Sequence, residues 1–216
     1  MGELLVIRHG QASFGADDYD NQSELGHRQS AMAGDALRAA GWVPDRVVTG
    51  SLTRQQETLR SMGFAQAPEV HAGFNEYDFN NLLATRFGGE VPDLVRHDRK
   101  THFRTLREVL FEWQGGGLLG ADESWQDFTA RVAAAREFAC AGGGKRVLVI
   151  SSGGPIGQLV ASALETPAKQ MVALNLQVKN TSFTRFFHSK ATFTLHEFNA
   201  TPHFADTVSG AHMSYS

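Results

Sequence analysis

Two short apolar runs, each followed at once by polar residues and glycine, constrain the fold of this 216-residue chain more than any other feature. Residues 4–7 (Leu-Leu-Val-Ile) lead into Arg-His-Gly at 8–10, and residues 146–150 (Arg-Val-Leu-Val-Ile) lead into Ser-Ser-Gly-Gly at 151–154. A run without alternation is typical of a strand buried on both faces, and helical patterns separate the two runs. Strands that alternate with helices predict an α/β fold, here a three-layer α-β-α sandwich around a central, mostly parallel sheet.

Turn and capping residues predict the boundaries of the other elements. Ser23 and Gly41 are suited to the two ends of one helix, and Ser124 with Asp127 resembles a capping box at the start of another. The elements predicted in this way are a helix over 24–40, a strand at 47–48, a helix over 51–61 capped by Ser51, a strand at residue 70, a mostly helical segment over 92–113, helices over 125–140 and 155–164, and two antiparallel strands within 179–198. We interpret the chain as a single domain over residues 1–216, with the less regular segment 74–122 as an insertion or lid.

The composition restricts the partners and the location that we expect. A net charge of −3 gives no bulk attraction to nucleic acid or to a membrane surface, so neither is expected as a partner. The single cysteine, Cys140, excludes an intramolecular disulfide framework and a cysteine-rich metal site. The first residues lack the segments of a signal peptide, and no apolar stretch approaches the ~18 residues of a membrane span. These features predict a cytoplasmic location.

No sequence pattern indicates a metal or an organic cofactor. The nine histidines show neither the His-x-x-x-His nor the His/Asp spacing of a metal site, and the chain has no Walker A sequence. Glycines at 115, 117 and 120 match the dinucleotide-binding pattern, but they follow a predicted helix rather than a strand. We therefore expect no cofactor and no metal.

The ends of the two buried runs are the best candidates for a functional site, because ligands of open α/β sheets bind at the carboxyl ends of the strands. Ser-Ser-Gly-Gly at 151–154 opens a predicted helix, whose amide donors and positive dipole end suit an anion. Pro155 fits the first turn of this helix, where its missing N–H costs nothing.

Further motifs follow these two in a fixed order. After Arg8-His9-Gly10 the chain has Leu25-Gly26-x-x-Gln29, Ser51-Leu52-x-Arg54-x-x-x-Thr58, Asn75-Glu76 and a strand that ends in Ser-Gly-Gly. The ordered set resembles the histidine phosphatase superfamily, also called phosphoglycerate mutase-like, and the resemblance runs from residue 4 to about residue 203. The resemblance implies the same α/β sandwich.

The resemblance also implies a role for each matching residue. His9 would take the phosphoryl group and become phosphohistidine, because a neutral imidazole with a pKa of ~6.5 is a good nucleophile near pH 7. Arg8 and Arg54 would bind the phosphoryl oxygens through their planar guanidinium groups. Glu76 would be the proton donor to the leaving group, because an anionic pocket raises the pKa of a carboxyl group.

Ser152 is the main departure from the family pattern. Most members have a second histidine at this position, which hydrogen-bonds the phosphoryl group. Ser152 can still donate a neutral hydrogen bond, and with the Gly153 amide it would complete the anion cradle. A loss of ~1–3 kcal/mol would slow the reaction on the order of tenfold to a hundredfold. His97 or His102 could compensate, but solvent exposure on a basic helix is the preferred interpretation of both.

A second departure lies in the loop after His9. The stretch Gln11-Ala12-Ser13 lacks the acidic residue and the Asn with which true mutases hold the sugar phosphate, although Ser13 is a candidate phosphate contact. The residues Asn-Thr-Ser at 180–182, where the family often has Asn-x-Ser, are interpreted as polar pairing in a strand.

The expected function is hydrolysis of a small phosphomonoester through His9. Two alternatives stay open: a cofactor-dependent phosphoglycerate mutase, or a catalytically weak phosphate-binding protein because of Ser152. The sequence identifies neither the substrate nor the oligomeric state, and a homodimer is one alternative for the latter.

Overall fold

The sheet of this computed structural model, which describes residues 1–13, 20–205 and 210–215, takes its strands from both ends of the chain. The strands are β1 (Gly2–Arg8), β2 (Arg46–Thr49), β3 (Glu69–Val70), β4 (Arg146–Ser151), β5 (Phe183–His188) and β6 (Phe193–Ala200). Within the described residues they form one sheet in the order β3-β2-β4-β1-β5-β6. The pairs β3-β2, β2-β4 and β4-β1 are parallel, and β5 and β6 add antiparallel pairs at one side. The prediction of a mostly parallel central sheet is therefore confirmed.

Helices cover both faces of this sheet. They are α1 (Glu24–Ala39), α2 (Thr53–Met62), α3 (Phe79–Phe87), α4 (Asp93–His97), α5 (Arg99–Gln114), α6 (Trp125–Ala141), α7 (Gly153–Ala163) and α8 (Lys169–Asn175). Successive residues of β1 point to opposite faces, so Leu4 belongs to the core cluster that contains Phe128 of α6 and Leu159 of α7. Leu5 belongs to the other cluster, which contains Leu37 of α1 and residues of α2. One apolar cluster therefore lies on each face of the sheet, between the sheet and the helices that cover that face, as a three-layer sandwich requires.

Several predicted boundaries are wrong for identifiable reasons. Helix α2 begins at Thr53 and not at Ser51, because Ser51 exchanges hydrogen bonds with Asn75: Ser51 N donates to Oδ1 at 2.8 Å and Asn75 Nδ2 donates to Oγ at 2.7 Å. The segment 92–113 is two helices, because Asp98 has extended backbone angles and caps α5 through Thr101 N. Helices α3 and α8 were not predicted.

The middle segment packs on the same core as the sheet. Leu82 of α3 and Leu110 of α5 are buried in the cluster that contains Leu4 and Val6. A role of residues 74–122 as a lid stays a prediction. The helices of the described part of the chain include none that is long and apolar enough to cross a membrane.

The register of β1 and β4 decides where the polar strand ends meet. Arg8 lies opposite Ser151, and the His9 amide donates to Ser151 O at 2.9 Å, which continues the parallel ladder by one residue. His9 and Ser152 are therefore neighbours at the carboxyl edge of the sheet.

Candidate active site

His9 lies at the end of β1 with its ring held at both nitrogens. Nδ1 is 2.7 Å from Gly10 O. A carbonyl oxygen can only accept, so Nδ1 carries the ring proton. The Nε–H of Arg54 donates to Nε2 at 3.2 Å, which requires a lone pair on that nitrogen. The nucleophilic nitrogen of the neutral ring is therefore Nε2, and it faces a guanidinium group.

The environment of His9 favours this neutral form. The side chain is only 4% exposed. Burial lowers its pKa well below 6.5, and the positive charges of Arg54 and Arg8 lower it further, against a smaller opposing effect of the Gly10 carbonyl. The imidazole is thus available as a nucleophile over the physiological pH range.

The turn after His9 is packed so closely that only glycine fits at position 10. The Gly10 amide donates to Thr58 Oγ1 at 2.9 Å, which ties the turn to α2. A Cβ atom on Gly10 would lie 2.4 Å from Gln22 Nε2 and 2.4 Å from Gly26 O. Any larger residue would push the turn, and His9 with it, away from α1 and α2.

Arg54 is positioned by the first turn of α2. Its side chain is largely buried, and besides the bond to His9 its Nη1 lies 2.6 Å from Asp20 Oδ1. Asp20 also accepts from the Thr53 amide at 2.8 Å. The motif analysis did not single out Asp20, because an acidic residue in a polar loop carries no signal by itself.

Arg8 points toward the C-terminal segment of the chain. Its Nη1 donates to Val178 O, and it lies 3.3 Å from Tyr215 O. Its positive charge is one of the causes of the lowered pKa of His9. Arg54 therefore contacts the imidazole directly and Arg8 affects it through its charge, and the binding of a phosphoryl group by the two arginines stays a prediction.

Two buried amides connect the C-terminal segment to the His9 loop, and the sequence analysis missed both roles. Asn180 is not in a strand: its Nδ2 donates to His9 O at 3.1 Å and its Oδ1 accepts from Ser214 Oγ at 2.9 Å. Gln29 of α1 accepts from Gln11 N at 2.9 Å and donates to Ser214 Oγ at 2.8 Å. The motif Leu-Gly-x-x-Gln contained a signal for Gln29, but its partner is 185 residues away.

Glu76 occupies the N-terminus of α7. The Gly154 amide donates to both carboxyl oxygens, at 3.0 and 3.1 Å. Burial raises the pKa of Glu76, while the Gly154 bond and the charges of Arg8 and Arg54 oppose the increase. The Gly154 amide at the start of this helix therefore already binds a side chain of the protein, and the contact of Gly153 N, the first amide of the helix, with a phosphate stays a prediction.

Ser152 is fully buried beneath Gln55 of α2. Gln55 Nε2 donates to Ser152 Oγ at 2.9 Å and to Phe74 O at 2.9 Å, and Gln55 is itself fully buried. The hydroxyl of Ser152 is thus next to His9 in the sheet register but is covered by an amide. A contact of Ser152 with a phosphoryl group stays a prediction, and the covering residue Gln55 lies 97 residues away in the sequence.

The contacts of the remaining candidates are local ones. The Ser13 amide donates to Asn21 O at 2.9 Å in the loop before α1. His102 is half-buried rather than solvent-exposed, since its ring meets Phe79 and Phe103 edge-on and its Nδ1 lies 3.1 Å from Val95 O. The side chain of His97 is outside the described residues. Among the residues that the structure describes, no group of three His, Cys, Asp or Glu side chains could hold a metal ion.

The buried His9 imidazole accepts a hydrogen bond from Arg54, and the carboxyl group of Glu76, whose pKa is raised, lies at the same edge of the sheet. Such groups can bind an anion and present a nucleophile and an acid to it. An α/β sandwich with this site defines a class of group-transfer proteins. The model of the histidine phosphatase superfamily (branch 1) matches residues 4–201, and the chain belongs to this superfamily. The resemblance inferred from the motifs is thereby confirmed.

Relatives within the superfamily include phosphatases and mutases. A bifunctional protein of Mycobacterium tuberculosis is 26% identical over 200 residues, which cover 88% of this chain and 51% of that protein, so the chain spans about half the length of this curated relative. A 2,3-bisphosphoglycerate-dependent phosphoglycerate mutase of Parvibaculum lavamentivorans is 25% identical over 188 residues, or 80% of this chain and 85% of the mutase. A mycobacterial glucosyl-3-phosphoglycerate phosphatase solved with inorganic phosphate shares the fold, with a TM-score of 0.68 at 22% identity over 94% of this chain and 99% of that one.

Proposed function

We propose that this protein is a phosphomonoester hydrolase that acts through a phosphohistidine intermediate on His9. The observation that carries the proposal is the hydrogen bonding of the His9 ring. Because Nδ1–H is bonded to Gly10 O, the lone pair lies on Nε2 and points toward Arg54. A phosphoryl group bound to Arg54 would meet this lone pair directly.

The proposed reaction has two steps, and the side chains of this chain supply every group in them. His9 Nε2 attacks phosphorus, the bond to the leaving oxygen breaks, and Glu76 gives its proton to that oxygen. The ring then carries a positive charge, which the Gly10 carbonyl at Nδ1–H stabilises. The Glu76 carboxylate next takes a proton from water, the water oxygen attacks phosphorus, and the bond to Nε2 breaks. Arg8 and Arg54 stabilise the charge on the phosphoryl oxygens in both steps.

The test is to trap the intermediate with an aryl phosphate that carries labelled phosphorus. We expect the wild-type protein to acquire label that is stable in base and lost in acid, as a phosphohistidine is. His9→Asn should acquire none. His27→Asn is the matched control, because His27 lies on the exposed surface of α1. Its Nδ1 is 2.9 Å from Ser61 Oγ, away from the His9 ring. Label that persists in His9→Asn would contradict the assignment of the nucleophile.

A catalytically weak phosphate-binding protein is the second candidate, and the covered hydroxyl of Ser152 favours it. Most of the family has an imidazole at this position that donates to the phosphoryl group. Because Gln55 covers the Ser152 hydroxyl, we propose that this side chain does not replace the imidazole as a donor. This candidate predicts that inorganic phosphate binds to the wild-type protein and that the aryl phosphate leaves no label on His9.

A phosphoglycerate mutase is a third candidate, favoured by the likeness to the Parvibaculum lavamentivorans mutase. It predicts isomerisation of a phosphoglycerate that depends on a bisphosphoglycerate primer. The loop sequence Gln11-Ala12-Ser13 supports hydrolysis over this candidate. The proposed partner in all three cases is a small phosphorylated molecule, and we propose a cytoplasmic location for the reaction.

A further inference from the structure

Asp20 is an acidic side chain inside a site that is otherwise built for an anion. Its Oδ1 lies 2.6 Å from Arg54 Nη1, and its Oδ2 accepts from the Thr53 amide at 2.8 Å. The Asp20 side chain is 32% exposed and that of Arg54 is 10% exposed, so the ion pair is partly shielded from water. A partly shielded, charge-assisted bond is stronger than an exposed one.

The two named bonds of Arg54 leave from different parts of its guanidinium. Nε, which faces His9 Nε2, forms one edge of the planar group together with Nη2, and Nη1 lies at the remote corner. Asp20 therefore holds the guanidinium from the side that is turned away from His9. With both ends of the group held, its rotation about the last side-chain bonds is restricted.

The second oxygen of Asp20 anchors this arrangement to the backbone. Thr53 is the first residue of α2, and Leu52 before it has an apolar side chain that cannot cap the helix. Asp20 supplies the missing acceptor from a distant loop, so the position of its carboxylate is fixed by the same helix that carries Arg54.

We propose that Asp20 is a positioning residue for Arg54, which it orients so that the Nε edge faces the phosphoryl group as that group is transferred to His9. The inference rests on the proposed function for the nature of the reacting group. A carboxylate is required, because both contacts come from N–H donors and asparagine has only one acceptor oxygen for them. The opposite hypothesis is that Asp20 is a competing anion that the substrate must displace.

The experiment compares Asp20→Asn and Asp20→Ala with the wild-type protein in three measurements: steady-state hydrolysis of an aryl phosphate, binding of orthovanadate as a mimic of the transition state, and binding of inorganic phosphate. Positioning acts most on the transition state. We expect kcat and the affinity for vanadate to fall on the order of tenfold to a hundredfold. KM and the affinity for phosphate should change less than about threefold.

Two further variants separate positioning from a purely structural role. Arg54→Lys removes the Nη1 donor of the ion pair with Asp20 but leaves the Thr53 amide for Asp20 to accept from. Asp35→Asn removes a carboxylate that pairs with Arg38 at 2.7 Å on the exposed side of α1. We expect Asp20→Asn to lower kcat in the wild-type background but by less than about threefold in the Arg54→Lys background, and Asp35→Asn to keep all of the wild-type kcat.

Each outcome decides the question. Tighter binding of phosphate by Asp20→Asn would show a competing anion and overturn the proposal. An equal loss of kcat from Asp20→Asn in the wild-type and Arg54→Lys backgrounds would show that Asp20 acts only as a helix cap, which also overturns it. If the wild-type protein forms no phosphohistidine, the proposed function fails, but a vanadate affinity that falls in Asp20→Asn and not in Asp35→Asn still supports the positioning of Arg54.

Discussion

The carboxyl ends of β1 and β4 are neighbours with the same sequence character, a buried strand that runs into polar residues and glycine. At the end of β1, the tertiary structure leaves His9 neutral and turns its Nε2 toward a cation. At the end of β4, side chains of the protein bind two of the groups that were expected to bind an anion. The Gly154 amide donates to the Glu76 carboxyl group, and Gln55 donates to the Ser152 hydroxyl. Similar local signals thus end in the proposed nucleophile on one strand and in buried supporting contacts on the other.

The difference teaches that a helix N-terminus next to a strand end is only a potential anion site. Its amides bind whichever acceptor the fold brings to them, and here the acceptor is the carboxyl group of Glu76. That group is expected to give and take a proton, so the N-terminus of α7 serves the reaction by holding the acid.

Among the substitutions at the two strand ends, Glu76→Gln should lower kcat the most. Without a proton donor, we expect kcat for an alkyl phosphate to fall on the order of 10² to 10⁴-fold. An aryl phosphate with an acidic leaving group needs no proton and should lose far less. The measurement is kcat for both substrates, with Glu90→Gln at an exposed position as the control. Equal losses for both substrates would mean that Glu76 only supports α7.

The pH dependence of kcat/KM should show one limb for His9 at the end of β1 and another for Glu76 beside the end of β4. His9 must be neutral, and because its pKa is lowered, activity should persist below pH 6.5 and fall only in more acidic solution. Glu76 must be protonated, and because its pKa is raised above 4.5, activity should fall on the alkaline side as this proton is lost. Each limb should approach about tenfold per pH unit.

The Glu76→Gln variant provides the control for this profile. It should lose the alkaline limb and keep the acid limb. An acid limb centred at or above pH 6.5 would contradict the burial of a neutral His9, whereas an unchanged alkaline limb in the variant would assign that limb to another group.

Substitutions at Ser152 should have the smallest effects on activity. Ser152→Ala removes a covered hydroxyl, so we expect kcat to change less than about threefold and the free energy of unfolding to fall by about 0.5–1.5 kcal/mol. Ser152→His should be unstable by about 1–3 kcal/mol, because Gln55 fills the space beside it. The double variant Gln55→Ala, Ser152→His should recover that stability in thermal unfolding.

The double variant also tests the expected cost of the serine. If an imidazole at position 152 reaches the phosphoryl group, kcat should rise on the order of tenfold above the wild-type value. A double variant that is stable but no faster would show that a donor at the end of β4 contributes nothing to this site.

Local patterns predicted most of the architecture. The apolar runs gave the buried strands, and Ser23 and Ser124 open helices as expected, because capping and periodicity depend on residues a few positions apart. The error at Ser51 has the opposite cause, since its partner Asn75 lies 24 residues away. The motifs also named His9, Arg54 and Glu76, which the structure brings to one edge of the sheet.

The sequence by itself determined the α/β class, the order of the elements and the residue types that the site contains, because each depends on short-range pattern or on an ordered set of motifs. Only the tertiary structure decided which ring nitrogen of His9 carries the proton, how Asp20 holds Arg54, and that Gln55, 97 residues away, covers Ser152. These are contacts between distant segments, and they depend on how the helices pack on the sheet. The lowered pKa of His9 and the raised pKa of Glu76 follow from the same packing, because burial is the main cause of both shifts.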